Sequence, residues 1–449
     1  MSSYFDHNST TPRNSAAWPA MNAVGPHPSW ATHPRHARPW RGRFGHSAGY
    51  WIVATAFLMN MAMSAVPTPL YVLYQQRDHL SSLMITVIFA VYAGGVITSL
   101  FLAGHVSDWL GRRRVMVIGL LVNALSALVF IVAPSLAGLI VARVISGISV
   151  GLVTATATAY LAELHARAHP DANGRRAQVI AIFVNLGGIG LGPLIAGLLA
   201  QFAPAPLVLP YLITGLVLVA LATFVLASPE TVTPPSEHVQ WHPQHVAVPA
   251  AARGRYFAGA IAGLTAFSVF GVFSSLVPHF LAGSLGSSSH LLAGAVAFCA
   301  FAAGALAQVA LSPLRTSAML RTSVPVLIAG LAMLVTGIWF ATLVVFIIGG
   351  IATGAGAGLV FRGAMVRAGE GAATSSRAEV MAGFFLASYI GLSLPVIALG
   401  VILNYVAARG AILAFATVAA LAIVVSVKSI VTDPVDDTVH DREAIDVRR

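Results

Sequence analysis

Two sets of residues combine charge with a spacing that could do work. The first lies in GHVSDWLGRRRV, from Gly104 to Val115. Asp108 stands four residues before Arg112 and five before Arg113, so the acid and the bases can reach one another at helix ends. Gly104 admits close helix approach, and Gly111 permits a tight turn. This is the chemistry of an electrostatic switch, a charge network that favours one conformation and is released in another. The second is Arg143, in LIVARVISGISVG, a formal charge inside a long apolar run. A central charge costs about 2.5–3.5 kcal/mol on membrane-insertion scales and usually faces a cavity or a partner. Arg143 could bind an anionic group or bias a nearby protonation. Snorkelling is the plainer alternative, since the residue lies about two turns from the end of its run.

Other polar residues also interrupt apolar runs. Asn60, Asn185, Gln308, Tyr389 and Ser393 each need a hydrogen-bond partner, and as a set they are read as lining a pathway. The stretch GGIGLGPLIAG holds Gly188, Gly192, Pro193 and Gly197. Proline removes a backbone bond, and the glycines present a smooth packing surface. Pro67 with Pro69, and Pro395, are expected to break their helices. His279 and His290 could titrate near neutral pH. No zinc-protease pattern, phosphate-binding loop or nucleophile elbow occurs. The chain is therefore read as no enzyme, with no cofactor and no metal. Its energy must come from an ion gradient or from the gradient of its own substrate.

The elements that hold these residues follow from composition. Hydrophobic residues make up 57% of the 449 and charged residues only 9%, against roughly 25% charged in a soluble domain. The apolar residues fall in runs long enough to cross a bilayer as helices. They are too long and continuous for barrel strands. The expected class is an all-α integral membrane protein of twelve spans. They run over 49–74, 82–104, 114–133, 136–160, 177–202, 207–227, 256–281, 289–312, 323–341, 343–365, 379–405 and 410–430, with only a short break near Ala341. No Asp or Glu falls mid-span, which argues against a buried carboxylate as proton carrier. The single cysteine, Cys299, excludes an intrachain disulfide.

The net charge of +10 could suggest nucleic acid, but its distribution argues otherwise. Twenty-two of the 25 Lys and Arg residues fall on one side of the predicted topology, and only Arg77 and Arg409 on the other. The positive-inside rule then puts both termini in the cytoplasm. Residues 1–47 are read as a disordered cytoplasmic tail without the apolar core of a signal peptide. Residues 48–228 form a six-helix half, 229–255 a proline-rich cytoplasmic loop, 256–430 a second half and 431–449 a C-terminal tail. A faint repeat supports two pseudo-symmetric halves: GISVGLV from Gly147 and GAGAGLV from Gly354, each in the fourth helix of its half.

The loop motif resembles that of the major facilitator superfamily, G-x-x-x-D-R/K-x-G-R-R/K, through Gly104, Asp108, Gly111, Arg112 and Arg113. It departs at Trp109, where the family usually has a base. Arg143 and Gly147 resemble the superfamily's helix-4 pattern. Gly188, Gly192, Pro193 and Gly197 resemble the helix-5 motif of its twelve-helix drug:proton antiporters, with Ala196 in place of one glycine. The resemblance implies that Glu163 joins the arginines of the loop motif. It also implies a monomeric secondary transporter in a bacterial cytoplasmic membrane, working by alternating access. Proton-coupled efflux of drug-like compounds or metabolites is the leading expectation, and an uptake symporter or uniporter is the alternative. The expected partners are a small-molecule substrate, protons and lipid, with no nucleic acid.

Overall fold

The computed structural model describes residues 43–104, 106–172, 174–232, 253–370 and 377–432, and among these every regular element is an α-helix. The tail up to residue 42, the loop from 233 to 252 and the tail from 433 lie outside the described residues. So does His105 in the loop motif.

Twelve helices are long and apolar enough to cross a membrane. They are span 1 (His46–Asp78), span 2 (Ser82–Ala103), span 3 (Arg112–Val132), span 4 (Leu136–Ala168), span 5 (Arg175–Phe202) and span 6 (Leu209–Leu226). Span 7 (Arg253–Ser275), span 8 (His290–Ala310), span 9 (Thr316–Trp339), span 10 (Leu343–Gly369), span 11 (Glu379–Ile402) and span 12 (Ala408–Thr432) complete the set. Each coincides with one apolar run. The short break between spans 9 and 10 is a turn in which Ala341 takes a left-handed φ of 51°.

The packing repeats. Span 1 packs on spans 4, 5 and 6, span 2 on span 4, and span 3 on spans 4 and 6. Adding six to each number gives the main contacts of spans 7 to 12. The principal contacts between the two sets, 2 with 11 and 5 with 8, map onto each other under the same operation. The GISVGLV/GAGAGLV repeat holds one of these seams. A β-carbon on Gly147 would lie 2.2 Å from the Tyr92 carbonyl oxygen of span 2, and one on Gly354 would lie 2.1 Å from that of Ala300 in span 8. Such approach requires glycine in both halves.

Several boundaries differ from expectation, and span 9 begins at Thr316, about two turns before its expected start at 323. Spans 4 and 10 run on to Ala168 and Gly369, because polar residues at helix ends extend the helix beyond its apolar run. Span 10 thereby encloses Arg362 by about two turns, so Arg143 is not the only arginine well inside a helix. Span 7 stops at Ser275, and the chain restarts as a short helix, Val277–Ser284, with Pro278 in its first turn. Span 1 does break, at Val66, where Pro67 opens a second segment, Pro67–Asp78. Pro395, by contrast, sits inside an unbroken helix. Proline removes the donor to the carbonyl four residues back. That carbonyl, on Gly391, accepts instead from Ser268 Oγ of span 7 at 3.0 Å.

Candidate functional site

Gly104 caps the C-terminus of span 2, and the short helix Val106–Leu110 carries Asp108. We call this membrane side the motif face. Arg112 Nη1 meets Asp108 Oδ1 at 2.5 Å and donates to Ser107 Oγ at 2.6 Å. Its Nη2 pairs with Glu163 Oε1 of span 4 at 3.0 Å. Asp108, Arg112 and Glu163 thus come together as one cluster. Ser107 and Thr231 extend it, since Thr231 Oγ1 donates to Glu163 Oε2 at 2.5 Å. Thr231 opens the loop after the first half and the others belong to that half, so no described member comes from the second half. Trp109, in place of a base, buries its indole nitrogen without an acceptor.

The residue that organises this corner is Glu230, which falls at the start of the expected loop 229–255. Its carboxylate accepts from the backbone N–H groups of Arg112 at 3.0 Å and Arg113 at 3.2 Å. It accepts also from those of Thr231 at 3.0 Å and Val232 at 3.2 Å. Glu230 thereby caps the N-terminus of span 3, where the orphan amides and helix dipole favour an anion. Gly111 turns with φ +97°, and a β-carbon there would come within 2.6 Å of Glu230 Oε2. Tyr160 donates to the Pro229 carbonyl at 2.6 Å, Arg113 to that of Ser228 at 3.4 Å, and Arg167 to that of Glu230 at 3.2 Å. Residues 228–232 therefore form a strap bound across spans 3 and 4. The one trace in the sequence was an acid just past a span end on the motif face.

Arg143 is the largest fully buried side chain among the described residues, 2% exposed. No carboxylate pairs with it among the described residues. Its Nη1 donates to the Ser64 carbonyl at 2.6 Å, two residues before the break in span 1. Its guanidinium lies over the Tyr92 ring at 4.4 Å and the Phe89 ring at 5.5 Å, both in span 2. Nε has no acceptor. Burying a lone cation costs several kcal/mol. A carbonyl at the negative end of a helix segment and two π faces offset that cost. Arg143 is thus a clasp joining spans 1, 2 and 4 at the place where span 1 bends. It points inward, and it does not snorkel.

The glycines of span 5 pack against that same bend. β-carbons on Gly188 and Gly192 would lie 2.5 Å from the Leu58 carbonyl oxygen and 2.0 Å from that of Ala62, both in span 1. On the far side, one on Gly197 would meet the His290 carbonyl oxygen of span 8 at 2.4 Å. The Pro193 carbonyl oxygen fills the space beside Gly294. The motif is therefore a joint between the halves as well as a packing surface.

The remaining polar residues divide. Asn60 lies wholly inside the first half and accepts from Asn123 at 3.0 Å and Ser149 at 3.1 Å. Ser393 donates to the Ala90 carbonyl at 3.3 Å, between spans 11 and 2. Tyr389 packs edge-on to Phe267 at 5.4 Å, and Phe267 lies 4.7 Å from the Phe361 ring. Asn185 is half-buried in span 5. Gln308 is buried, and its side-chain nitrogen lacks an acceptor. The opposite face is drawn together by the His290 ring on the Pro69 backbone and by a space of only about 10 Å³ among residues including Tyr71, Gln75, Leu276 and His279.

Twelve spans, a doubled packing scheme and a charged corner after span 2 narrow the family to few choices. The family model for the Major Facilitator Superfamily matches residues 50–394. The chain belongs to this superfamily. It is a multi-pass membrane transporter. Among its curated relatives are the D-xylose-proton symporter-like 2 of Arabidopsis thaliana and the arabinose-proton symporter of Bacillus subtilis. The first is 29% identical over 34% of this chain and 28% of the relative, the second 31% over 22% and 21%. The multidrug transporter mfsB of Aspergillus fumigatus is 32% identical over 29% of this chain and 25% of its own length. The match thus spans about a quarter of each relative. Among solved superfamily structures, the nucleoside transporter NupG superposes with a TM-score of 0.66 at 13% identity, covering 85% of this chain and 99% of that one. A bacterial homologue of the lysosomal transporter Spinster, inward-facing and unoccupied, gives 0.64 at 16%, covering 88% and 99%. At such identities the likeness is one of fold.

Proposed function

We propose that this superfamily member exports small, partly apolar organic molecules in exchange for protons, by alternating access around Arg143. The observation that carries the reading is the buried Arg143 guanidinium without a carboxylate counter-ion. A cation already desolvated, with Nε unpaired, is set to accept an anionic or strongly polar group. Tyr92 beside it, with Tyr389 and Phe267 on the second half, offers aromatic surface for an apolar body. A ligand drawing Arg143 away from the Ser64 carbonyl would release the bend of span 1. The segment Pro67–Asp78, which helps close the opposite face, would then be free to move. The span 5 joint would pass that movement to span 8.

Export is favoured by the likeness of Gly188, Gly192, Pro193 and Gly197 to the drug:proton antiporter motif, and by a multidrug transporter among the relatives. Proton coupling is supported by the relatives named as proton symporters. The charge count supports a cytoplasmic motif face. In this scheme Asp108, Arg112 and Glu163 hold one conformation, and the coupling proton travels on the substrate or on the groups biased by Arg143. A second reading, proton-coupled uptake of a small polyol or sugar, is favoured by the two pentose symporters. A substrate screen in proteoliposomes, with and without a pH gradient, decides between them. Export predicts that drug-like anions run against an imposed proton gradient. Pentose accumulation along it, with no drug movement, would sink the export reading.

A further inference from the structure

The last turn of span 8, at the motif face, gathers two arginines from different helices. Arg362 of span 10 donates from Nη1 to the backbone carbonyl of Gln308. Arg175, which opens span 5, donates from Nη2 to Ser312 Oγ at 3.0 Å. Gln308 lies in the last turn of span 8, and Ser312 lies in the turn that follows its end at Ala310. Arg175 belongs to the first half, and the other three to the second. No described Asp or Glu pairs with either arginine, and their positive charges repel each other. Beside them Gln308 is 3% exposed, and its side-chain nitrogen has no acceptor. Gln308 follows Gly304 by one turn, and Arg362 follows Gly358 by one turn. Gly304 and Gly358 are themselves packed together, since a β-carbon on Gly358 would lie 2.6 Å from the Gly304 carbonyl oxygen. The two side chains therefore close the same seam.

Two guanidinium groups without an acid, next to a buried amide donor without an acceptor, are a donor set that lacks its anion. We propose that Arg175, Gln308 and Arg362 bind the carboxylate or phosphate group of a small organic solute at the motif-face end of the joint between the halves. Each guanidinium keeps N–H groups beyond its single protein bond, and the amide adds two more. Repulsion between the arginines falls when an anion sits between them. Because one arginine comes from each half, the bound anion bridges the halves and favours the conformation in which spans 5 and 8 are packed here. The site lies at the motif face, apart from the bend of span 1, and its residues do not include Arg143.

The test uses the full chain, purified in detergent, with melting temperature followed against benzoate and against inorganic phosphate. A second arm uses phosphatidylcholine nanodiscs with and without phosphatidylglycerol, to separate a free solute from a lipid headgroup. A saturable rise with benzoate or phosphate is expected, and Arg362→Gln and Gln308→Leu should each weaken it at least about tenfold. Arg175→Gln, at an exposed position, should do the same without a risk to folding. The transport reading is scored separately, by the transport rate of Arg143→Gln, and this one by the melting shift of Arg175→Gln, so a failure of either remains distinct. The proposal is overturned by no saturable rise with either anion, by an equal rise in Arg175→Gln, or by stabilisation with phosphatidylglycerol alone.

Discussion

The Glu230 carboxylate occupies the space where a side chain at Gly111 would begin, 2.6 Å from the β-carbon position. One residue turns the chain with a positive φ, and the other caps the helix that the turn opens. Substituting either should loosen the same corner. Gly111→Ala meets both backbone strain and the carboxylate, at a cost of about 1–3 kcal/mol. Glu230→Ala loses a cap, at about 0.5–2 kcal/mol. Both should lower the melting temperature of the purified chain. Since the pair act at one place, the double variant should lose less than the sum of the two losses. Full additivity would show that they act apart.

Arg143→Gln should leave the protein able to assemble but lower transport at least about tenfold, equivalent to ~1.4 kcal/mol of lost binding or coupling. The glutamine amide is shorter and uncharged, so it cannot hold both the Ser64 carbonyl and an anion. Initial rates at limiting and saturating substrate check this. Normal rates in both regimes would remove Arg143 from the site.

Glu163 should matter more than Asp108 for the balance of conformations. The Asp108 side chain is 57% exposed, and exposed pairs contribute at most about 1 kcal/mol. Glu163 is more enclosed and holds both Arg112 and Thr231, and hydrogen bonds to charged groups contribute about 1.5–3 kcal/mol. Distance distributions between spin labels on the two halves should therefore shift further in Glu163→Gln than in Asp108→Asn. The opposite order would refute the ranking.

Acid should loosen the opposite face. Burial holds the His279 imidazole below its usual pKa of 6.5. No carboxylate lines the small space beside it. Above pH 6.5 the ring is neutral whether enclosed or exposed, and the contact keeps its full stability. As pH falls through 6.5, the exposed ring takes up a proton first, so the closed arrangement loses stability. Melting curves from pH 8 to pH 5 should fall more steeply for the wild type than for His279→Gln. Parallel curves would exclude His279 as the cause.

Much of this was legible in the residues. Long apolar runs report spans directly, and a lone arginine within one reports a special environment. What escaped notice depends on backbone groups, which carry no side-chain signature. The partner of Arg143 is the Ser64 carbonyl, exposed by a break that Pro67 and Pro69 did announce. The predicted break at Pro395 failed because a hydroxyl on another helix, Ser268, serves the freed carbonyl. Glu230 looked like loop because its four donors are main-chain amides. Arg362 lies near the end of the run 343–365, where a basic residue reads as part of the loop that follows; the helix instead continues for about two more turns.

Trp109 carries a practical consequence. Its indole nitrogen is enclosed without an acceptor, beside Asp108, at a corner that any loosening of the charge network would open to water. An indole that gains water on such a movement shifts its emission to longer wavelength. Trp109 is thus a built-in optical reporter: with the other six tryptophans replaced by phenylalanine, this corner could be watched in mid-cycle without attaching a dye.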